Sequence, residues 1–556
     1  MPSGFSVGAD LDGRGELRLL VAGRDGQIRL YRANPPAPSR WVRVALEGRK
    51  TNRQASGAVI ELKSGSFYQK ALFRGLPVTL YTGGVEKLDV VRVTWSNGVV
   101  QNEVGVETNR SITMTESERQ TSSCPFLYIW DGEGFRFLTD VVGRAPLGEI
   151  LPDGSRVSPN PDDYIRIPPG SLKDQNGRYE FQVTEELREV AYLDAARLLV
   201  VDHPVGTDVY LDEKFSAPPF ESFRLYTIGE KRAPSRALNH RGEDTRKEIA
   251  EADGLYAARF EPHRVSGFAE EHALLLDPGA PGAVGPLWLF LRGWVYWPGS
   301  SSMKAVATNR AFAPHPPALQ VKDRDGHWVT VIEDLGLPSG IDRTLVANLS
   351  GKFLSDDRSV RIVTNFRVYW DQAFFAIPAD TEPPRVHTLA RPEADLHFRG
   401  FSAPVPASDA GKPERFDYSR ALVEAPWNPA PGPYTRYGDV RVLLESADDR
   451  LIVMAPGDEV TLSFDGRALE PPAEGWRRDF ILHLAGWAKD HDPNTVAFRT
   501  AEPLPHRGMK IYGAAEVDPF RLPGGPLSEY RQSYQTRRAP PLIVPLAPPL
   551  LSRPRE

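Results

Sequence analysis

Hydrophobic and polar residues alternate along much of this chain, and a period of two predicts β-strands rather than helices. The alternating runs are separated by tight-turn pairs such as Asp131-Gly132, Asn176-Gly177 and Asp325-Gly326. These pairs favour hairpins because asparagine, aspartate and glycine tolerate positive φ angles. The pattern predicts strands over residues 17–22, 27–31, 178–183, 196–201, 318–322, 328–333, 359–365 and 367–377.

Helical signal is sparse. The clearest stretch is residues 244–253, where Asp244 or Thr245 is suited to cap the start of a helix and Gly254 to end it. The chain contains 47 glycines and 51 prolines, which indicates many turns and few long helices. We therefore predict a mainly β protein of several β-sandwich or jelly-roll modules.

Length and charge narrow the class of protein. A chain of 556 residues is too long for one compact core, so several domains are expected. A formal net charge of −6 argues against a nucleic-acid-binding surface, and no segment is apolar for long enough to predict a membrane span.

The single cysteine, Cys124, excludes an intramolecular disulfide framework and is expected to be a buried small residue. No basic and apolar leader opens the chain, so we expect no signal peptide within it.

Residues 5–32 read as a turn, a strand, a Gly-Arg-Asp-Gly turn and a second strand. This segment resembles the last blade of an FG-GAP-type β-propeller, whose acidic loop holds calcium. Asp10 and Asp12 match the first two ligands of that loop, and Gly15 matches its turn glycine. Arg14 and Arg18 occupy the next two carboxylate positions, so the resemblance implies a degenerate calcium loop. A single blade cannot bury both its faces, so we expect it to pack on a neighbour or to belong to a larger propeller.

Residues 40–118 carry a second resemblance. Trp41 begins an alternation of Val42, Val44 and Leu46, and the segment closes with Val93-Thr94-Trp95-Ser96-Asn97-Gly98. Together with Lys50-Thr51-Asn52-Arg53, these residues resemble the ASPIC/UnbV domain, which follows FG-GAP repeats in cartilage-acidic-protein-like and many bacterial secreted proteins. The family is assigned no catalytic activity. The resemblance therefore implies a β-rich module placed outside the cell or in the periplasm.

The pattern divides the chain into six regions. The expected boundaries are a partial propeller blade over 1–33, the ASPIC/UnbV-like domain over 34–118, a β-rich domain over 119–310, a sandwich over 311–400, a C-terminal β-rich domain over 401–530 and a proline-rich tail over 531–556. The strand series within residues 318–377 resembles a galactose-binding-like sandwich in architecture alone. Such a likeness does not transmit function.

Two distant segments are similar to each other. One begins at Leu287 and reads LWLFLRGWVYWPGSSS, and the other begins at Phe480 and reads FILHLAGWAKDHDPNT. Each has an alternating apolar strand, then Gly-Trp, then a polar loop. We call them the two Gly-Trp segments. Their spacing suits two similar β-domains, although chance similarity is the alternative.

Motifs for catalysis are almost absent. The chain has no H-E-x-x-H, P-loop or dinucleotide-binding motif, and the one G-x-S-x-G match, at residues 4–8, lacks the strand-to-helix context of a nucleophile elbow. Adjacent carboxylates such as Asp162-Asp163 project to opposite faces of a strand, so they are not expected to flank one scissile bond. We assign no catalytic residue from the sequence.

Asp490, Asp492 and Asn494 have the alternating oxygen spacing that wraps a calcium ion. Pro493 and Thr495 stand where a flexible calcium loop prefers glycine, and no downstream glutamate completes the set. The two hypotheses are a calcium site and a hydrogen-bonded polar turn.

Aromatic residues gather beside these polar loops. A sugar site pairs an aromatic platform with carboxylate and amide groups, because sugar C–H faces stack while hydroxyls need donors and acceptors. The candidates for a glycan site are Trp294, Trp297, Tyr369, Trp370, Asp371, Gln372 and Trp487. The alternative is that these aromatic residues fill a sandwich core.

The leading hypothesis is a non-enzymatic, extracytoplasmic binding or adhesion protein whose partner is a glycan or another surface protein. One alternative is a glycan-processing hydrolase whose acid and base, Asp371 and Asp490, come from distant loops. Another is a structural subunit of a larger surface complex.

Overall fold

The computed structural model describes residues 3–11, 15–23, 25–32, 40–49, 52–96, 100–116, 125–279, 286–309, 312–405, 413, 415–422, 429–514, 519–521 and 525–539. Asp12, Cys124 and the chain from residue 540 onward lie outside these residues. The chain divides into two compact units. The first comprises residues 1–121 with 426–428, and the second comprises residues 122–425 with 429–556.

The described residues of the first unit form three small sheets. Its described strands are β1 (Ser3–Asp10), β2 (Leu17–Gly23), β3 (Ile28–Arg32), β4 (Arg40–Glu47), β5 (Val59–Ser64), β6 (Phe67–Leu72), β7 (Val78–Gly83), β8 (Lys87–Thr94), β9 (Val100–Glu107) and β10 (Arg110–Thr115). The sheet orders are β1-β2-β3, β10-β4-β7 and β6-β5-β8-β9. All the pairs are antiparallel except β4 with β10.

The alternation predicted after Trp41 is confirmed. Val42, Val44 and Leu46 on β4 are buried, and the residues between them are only partly buried. One face of the strand therefore lies in a core and the other is partly open to solvent. The predicted strands over 17–22 and 27–31 correspond to β2 and β3, whereas Asn97 and Gly98 of the predicted turn lie outside the described residues. Ser6 of the G-x-S-x-G match lies inside β1.

The second unit begins with a pair of sheets that we call the outer sandwich. One sheet has the order β12-β11-β15-β36-β30-β34, with β14 beside β15, and the other has the order β13-β37-β16-β29, with β35 beside β16. The strands are β11 (Phe126–Trp130), β12 (Phe135–Asp140), β13 (Asp162–Ile167), β14 (Asp174–Gln175), β15 (Arg178–Thr184), β16 (Glu189–Pro204), β29 (Arg385–Ala390), β30 (Glu393–Phe398), β34 (Gly438–Asp439), β35 (Ile452–Met454), β36 (Asp458–Asp465) and β37 (Trp476–Asp490). Apolar side chains from both sheets, including Phe181, Val183, Leu482 and Leu484, form one core between them.

A second pair of sheets forms what we call the inserted sandwich. Its sheet orders are β17-β19-β28-β22-β26 and β20-β21-β27-β23-β24. The strands are β17 (Asp208–Tyr210), β19 (Tyr226–Arg232), β20 (Arg236–Asn239), β21 (Phe268–Asp277), β22 (Trp288–Val295), β23 (Ala318–Lys322), β24 (Trp328–Ile332), β26 (Arg343–Asn348), β27 (Val360–Phe366) and β28 (Val368–Pro378). Leu289, Leu291, Leu319 and Ile362 lie in the core between the sheets.

Short elements complete the second unit. The two-stranded pairs are β18 (Lys214–Phe215) with β25 (Leu337–Pro338), β31 (Ser402–Val405) with β32 (Arg415–Ala421), and β33 (Gly432–Tyr434) with β38 (Arg537–Ala539). The described helices are α1 (Ser300–Ala307), α2 (Pro526–Tyr534) and 3-10 turns at Arg441–Leu443 and Pro519–Arg521. The predicted tail thus begins inside α2 and continues into β38. Neither α-helix among the described residues has the length and hydropathy to cross a bilayer.

The inserted sandwich lies in the sequence between β16 and β29 of the outer sandwich. The domain boundary predicted between residues 310 and 311 does not follow these sheets, because β21 and β22 pair with β26, β27 and β28 from the far side of it. Likewise β29 and β30, placed within the predicted 311–400 sandwich, belong to the outer one. Pairing between distant strands leaves no mark on local composition.

The prediction of a mainly β fold with several sandwiches is confirmed. The strands predicted over 178–183, 196–201, 318–322, 328–333, 359–365 and 367–377 fall on β15, β16, β23, β24, β27 and β28. Asn176 and Gly177 both have positive φ angles of 55° and 77° in the turn between β14 and β15, as a tight hairpin requires.

The helix predicted over residues 244–253 is wrong. These residues form bends and turns, and the stretch begins with an isolated bridge between Leu238 and Asp244. The N–H of Thr245 donates to the carbonyl oxygen of Ala237 at 3.0 Å, so the segment extends the contacts of β20. Tertiary backbone hydrogen bonds override a weak local propensity here.

Candidate functional site

Four of the predicted aromatic site residues are core residues. Trp294 and Tyr369 are buried and stack with ring centroids 4.7 Å apart and an interplanar angle of 9°. Trp370 lies in the core of the inserted sandwich and Trp487 in the core of the outer one. These rings have no exposed face on which a sugar can stack.

Asp371 and Gln372 follow Trp370 on β28 and bond to the protein itself. Asp371 is buried and accepts a hydrogen bond from the N–H of Gly254 at 2.7 Å. Its burial and the neighbouring Asp342 raise the pKa of Asp371 to about 6. The amide nitrogen of Gln372 donates to the carbonyl oxygen of Ala250 at 3.2 Å.

The two Gly-Trp segments occupy similar positions, each at a β-bulge in its own sheet. Gly293 lies at a β-bulge between β22 and β28, and Gly486 lies at one between β37 and β16. A Cβ atom at Gly293 would stand 2.2 Å from the carbonyl oxygen of Tyr369, and one at Gly486 would stand 2.3 Å from that of Tyr192. Glycine is therefore required at both bulges because the neighbouring backbone approaches too closely for any side chain.

The polar loops after the two bulges meet each other. The hydroxyls of Ser300 and Thr495 lie 2.6 Å apart and are buried. Asp492 accepts hydrogen bonds from the N–H and hydroxyl of Ser301, at 3.0 and 2.6 Å. Asn494 accepts one from the ammonium group of Lys304 at 2.8 Å. The two segments that are similar in sequence therefore also contact each other, where the outer and the inserted sandwich meet.

These contacts bear on the calcium hypothesis. The oxygens of Asp492 and Asn494 are engaged by α1, and Asp490 is buried beneath them. A cation held by Asp490, Asp492 and Asn494 has to replace the hydrogen bonds to Ser301 and Lys304. The arrangement as it stands is a hydrogen-bonded polar turn.

The other predicted calcium residues lie in the first unit. Asp10 accepts hydrogen bonds from the N–H of Gly15 and the hydroxyl of Thr79, both at 3.0 Å, and Asp12 lies outside the described residues. In the described part of the second unit, Asp323, Asp325 and His327 have ligand atoms within 4.8 Å of one another. Asp323 there accepts the N–H groups of Asp325 and His327, each at 2.9 Å, as an ordinary hairpin turn does.

Glu149 and Asp490 form a pair of buried carboxyl groups where the loops meet. The segment before Glu149 runs alongside the end of β37, since the N–H of Leu147 donates to the carbonyl oxygen of Ala488 at 2.8 Å. Burial, together with the charge of Asp490, raises the pKa of Glu149 well above its usual value. Burial, together with Asp492, raises the pKa of Asp490 to about 6. Because ionisation of one carboxyl group disfavours ionisation of the other, the two groups titrate as a coupled pair.

Several polar atoms around this pair lack good hydrogen bonds to the described residues. Neither carboxylate oxygen of Asp490 accepts one of normal geometry from them, although Thr495 and the backbone N–H of Asp492 lie close enough to lower its pKa. Nε and Nη1 of Arg188, also buried, have no partner there, and burial lowers the pKa of Arg188 to about 10. Unsatisfied buried polar atoms are costly and are rare outside functional sites or water sites.

Trp297 connects this pair to a cavity. Its indole N–H donates to Oε2 of Glu149 at 2.9 Å, and its ring meets Phe215 edge to face with centroids 5.0 Å apart. Both aromatic residues and Glu149 line a cavity of about 430 Å³, which we call the Trp297 cavity. Its apolar wall also includes Ile150, Leu151, Val157, Met303, Leu337 and Phe366. A concave, largely apolar space with a few converging polar groups is the usual form of a small-molecule site.

Of the seven predicted ligand-binding residues, Trp297 lines this cavity. Asp490 does not line it but lies near enough to Glu149 to raise the pKa of that residue, whereas Asp371 belongs to a separate network on β28. The structure therefore does not bring Asp371 and Asp490 to one cleft. Sequence reasoning missed Glu149, which stands in a loop without a motif. Its only signal is the preceding Gly148, where a Cβ atom would stand 2.8 Å from the side chain of Val496.

Comparisons with known proteins add little. No protein-family profile matches the chain, and no curated protein matches it. One solved structure with weak similarity is the arabinofuranosyltransferase AftD from Mycobacteria, at 12% identity and a TM-score of 0.11. The match covers 86% of this chain and 32% of that one. A likeness this low carries no argument about fold or activity.

Proposed function

We propose that this protein binds a carbohydrate in the Trp297 cavity. The observation that carries the proposal is the pairing of the Trp297 ring with the carboxyl group of Glu149 at one wall of a concave space. Sugar rings present C–H faces that pack on aromatic surfaces and hydroxyls that need acceptors and donors. A buried carboxyl group with a raised pKa supplies both a hydrogen-bond donor and an acceptor, because its protonated form donates as well as accepts.

The cavity volume of about 430 Å³ falls within the range of small-ligand sites. Asp153 and Asp334 also line it, so further acceptors for hydroxyl groups are available. The resemblance of residues 40–118 to the ASPIC/UnbV domain supports an extracytoplasmic location, where glycans are common partners. We propose in addition that calcium binds at Asp490, Asp492 and Asn494 by replacing the hydrogen bonds to Ser301 and Lys304.

Glycan hydrolysis is a second candidate function, and the raised pKa of Glu149 favours it. A carboxyl group kept protonated by an apolar site beside tryptophan is suited to act as a general acid. Retaining and inverting hydrolysis both need a second carboxylate across the scissile bond, and the residues available in this cavity are Asp153 and Asp334.

The test begins with a glycan array probed with the full-length protein, with and without a calcium chelator. Glycans that bind are then titrated against Trp297→Ala by calorimetry. We expect binding to weaken roughly tenfold or more, since a buried tryptophan anchor typically contributes more than about 1.4 kcal/mol. Loss of binding under chelation would support the calcium site.

Trp328→Ala is the matched control, because Trp328 lies on β24 of the same sandwich and does not line the cavity. We expect its affinity to equal that of the wild type. A blank array, or equal affinity in wild type and Trp297→Ala, contradicts the proposal. Release of new reducing ends by the wild type, abolished in Glu149→Gln with binding retained, establishes the hydrolase instead.

A further inference from the structure

A second cavity adjoins the first. It has a volume of about 370 Å³ and lies between β13 of the outer sandwich and the segment from Leu211 to Tyr226. We call it the Arg224 cavity. Ser216 lines both this cavity and the Trp297 cavity, so one short segment forms a wall of each.

The carboxylates in the wall of the Arg224 cavity are already paired. Asp162 lies 2.9 Å from Nε2 of His483 and 3.4 Å from Arg507. His483 and Arg507 outweigh the effect of burial and hold the pKa of Asp162 at about 2. Lys214 forms ion pairs with Asp212 at 2.9 Å and Glu221 at 3.0 Å.

Two guanidinium groups of the same wall are not compensated. Nη1 of Arg144 donates to the backbone carbonyl oxygen of Asp162 at 3.3 Å, and the guanidinium of Arg224 lies 5.0 Å from the centre of the Tyr226 ring. Within the described residues, no ion pair links either arginine to a carboxylate. The wall carries four cationic side chains and three carboxylates, a formal charge of +1, and Arg144 and Arg224 keep hydrogen-bond donors available.

Aromatic rings stand beside these cations. Tyr164 stacks on His483 with centroids 4.3 Å apart and contacts Phe223 at 4.5 Å. Phe223 is 39% exposed, so part of its ring is open to a ligand. Guanidinium groups beside an exposed ring suit a ligand that has both a carboxylate and a sugar face.

We infer that the Arg224 cavity binds the carboxylate of an acidic sugar, so that the ligand class is a uronic-acid-containing glycan. Arg144 and Arg224 supply the donors to the carboxylate, and Phe223 supplies the surface for the ring. The inference rests on the proposed function, because a neighbouring sugar of the same glycan occupies the Trp297 cavity across Ser216.

Calorimetry with a galacturonic acid trimer and a galactose trimer tests this inference on the full-length protein. We expect the acidic trimer to bind roughly tenfold or more tightly than the neutral one at low salt, as charge-assisted hydrogen bonds allow. Raising the sodium chloride concentration should weaken binding of the acidic trimer and leave the neutral one unchanged.

Arg144→Gln and Arg224→Gln should each remove most of the preference for the acidic trimer without changing affinity for the neutral one. Arg324→Gln is the matched control, since Arg324 is an exposed arginine on the turn between β23 and β24. Circular dichroism confirms that each variant is folded before titration.

The outcomes separate the two proposals. Equal affinity for both trimers, or an acidic preference unchanged in both Arg→Gln variants, overturns the inference and leaves the Trp297 cavity standing. Binding of the acidic trimer that depends on Arg224 but not on Trp297 supports the Arg224 cavity and contradicts the proposed function. Failure of both trimers to bind overturns the uronate assignment, and the glycan array then decides the proposed function alone.

Discussion

Among the buried clusters of charged residues in the described part of the second unit, two differ in how well their charges are compensated. In the first, Nη1 of Arg343 donates to Glu213 at 3.1 Å, and its Nη2 donates to Asp163 at 3.2 Å and to the carbonyl oxygen of Asp140. Burial alone lowers the pKa of Arg343, but these acidic neighbours outweigh it and raise the pKa above its usual value.

The second cluster contains Glu149, Asp490 and Arg188. Carboxyl groups predominate, and no ion pair within 4.0 Å joins Arg188 to either carboxylate among the described contacts. Both oxygens of Asp490 and two nitrogens of Arg188 lack partners of normal geometry in the described part of the chain. The raised pKa values of the two acids show that their charged forms are disfavoured.

The difference separates a structural cluster from a candidate site. The Arg343 cluster joins residues of both sandwiches. Both terminal nitrogens of its cation have acceptors, although Nε of Arg343 and one oxygen of Asp163 lack partners in the described part of the chain. Its ion pairs therefore hold the sandwiches together. The Glu149 cluster differs in that no ion pair among the described residues stabilises the charged forms of its two acids, whose pKa values are raised. Perturbed acids next to a cavity are the arrangement expected of a functional site.

The largest effect is expected from Arg343→Met. The substitution leaves Asp163 and Glu213 buried without their cation, and breaking a buried pair in this way typically costs about 3–5 kcal/mol. Urea unfolding at pH 7 should show this loss in the free energy of unfolding.

The matched control is Arg467→Met, which removes an exposed pair with Asp465 on the surface of the outer sandwich. We expect its urea midpoint to equal that of the wild type. Equal midpoints for Arg343→Met and the wild type would show that the buried cluster does not hold the sandwiches together.

A smaller effect, dependent on pH, is expected from Glu149→Gln. In the wild type the folded state keeps protons that the unfolded chain has already released. The free energy of unfolding should therefore fall as the pH rises from 3.8, the usual pKa of aspartate, to about 6, the pKa of Asp490 in the folded protein. The slope is on the order of 1.4 kcal/mol per pH unit for each proton retained.

Glu149→Gln removes one acid that takes up a proton on folding, so the decline in stability above pH 4.5, the usual pKa of glutamate, should be shallower. Urea unfolding across this range measures it. Glu133→Gln, at an exposed position on the hairpin between β11 and β12, should reproduce the wild-type slope. An unchanged slope in Glu149→Gln would mean that the paired carboxyls do not take up protons on folding.

The smallest effect is expected from Thr495→Val. The substitution keeps the side-chain shape but leaves the buried Ser300 hydroxyl without its partner at 2.6 Å, at a cost of about 1–3 kcal/mol. Because Thr495 also lowers the pKa of Asp490, the decline in stability with pH should extend to higher pH. Ser419→Ala on β32 is an exposed control. Unaltered stability in Thr495→Val would show that the meeting of the two Gly-Trp loops contributes nothing.

Part of the candidate site was accessible from the sequence. Trp297 was predicted as an aromatic residue of a glycan site and Asp490 as part of a calcium set, and the structure brings the two Gly-Trp segments that carry them together. Glu149 was not predicted from the sequence, because a loop glutamate without a motif gives no local signal of burial. The other aromatic candidates, Trp294, Tyr369, Trp370 and Trp487, are core residues, which was the alternative left open. A tryptophan in an alternating strand looks the same whether its face meets solvent or another sheet.

Alternation and turn chemistry by themselves determined the strands, as on β4, β15 and β23. They act over a few residues, where steric limits on φ and side-chain direction suffice. Only the tertiary structure decided which strands pair across the inserted sandwich. It also decided which carboxyl groups are buried away from water and which cations form ion pairs. Those outcomes depend on burial and on distances between residues far apart in the chain, and no local pattern records them.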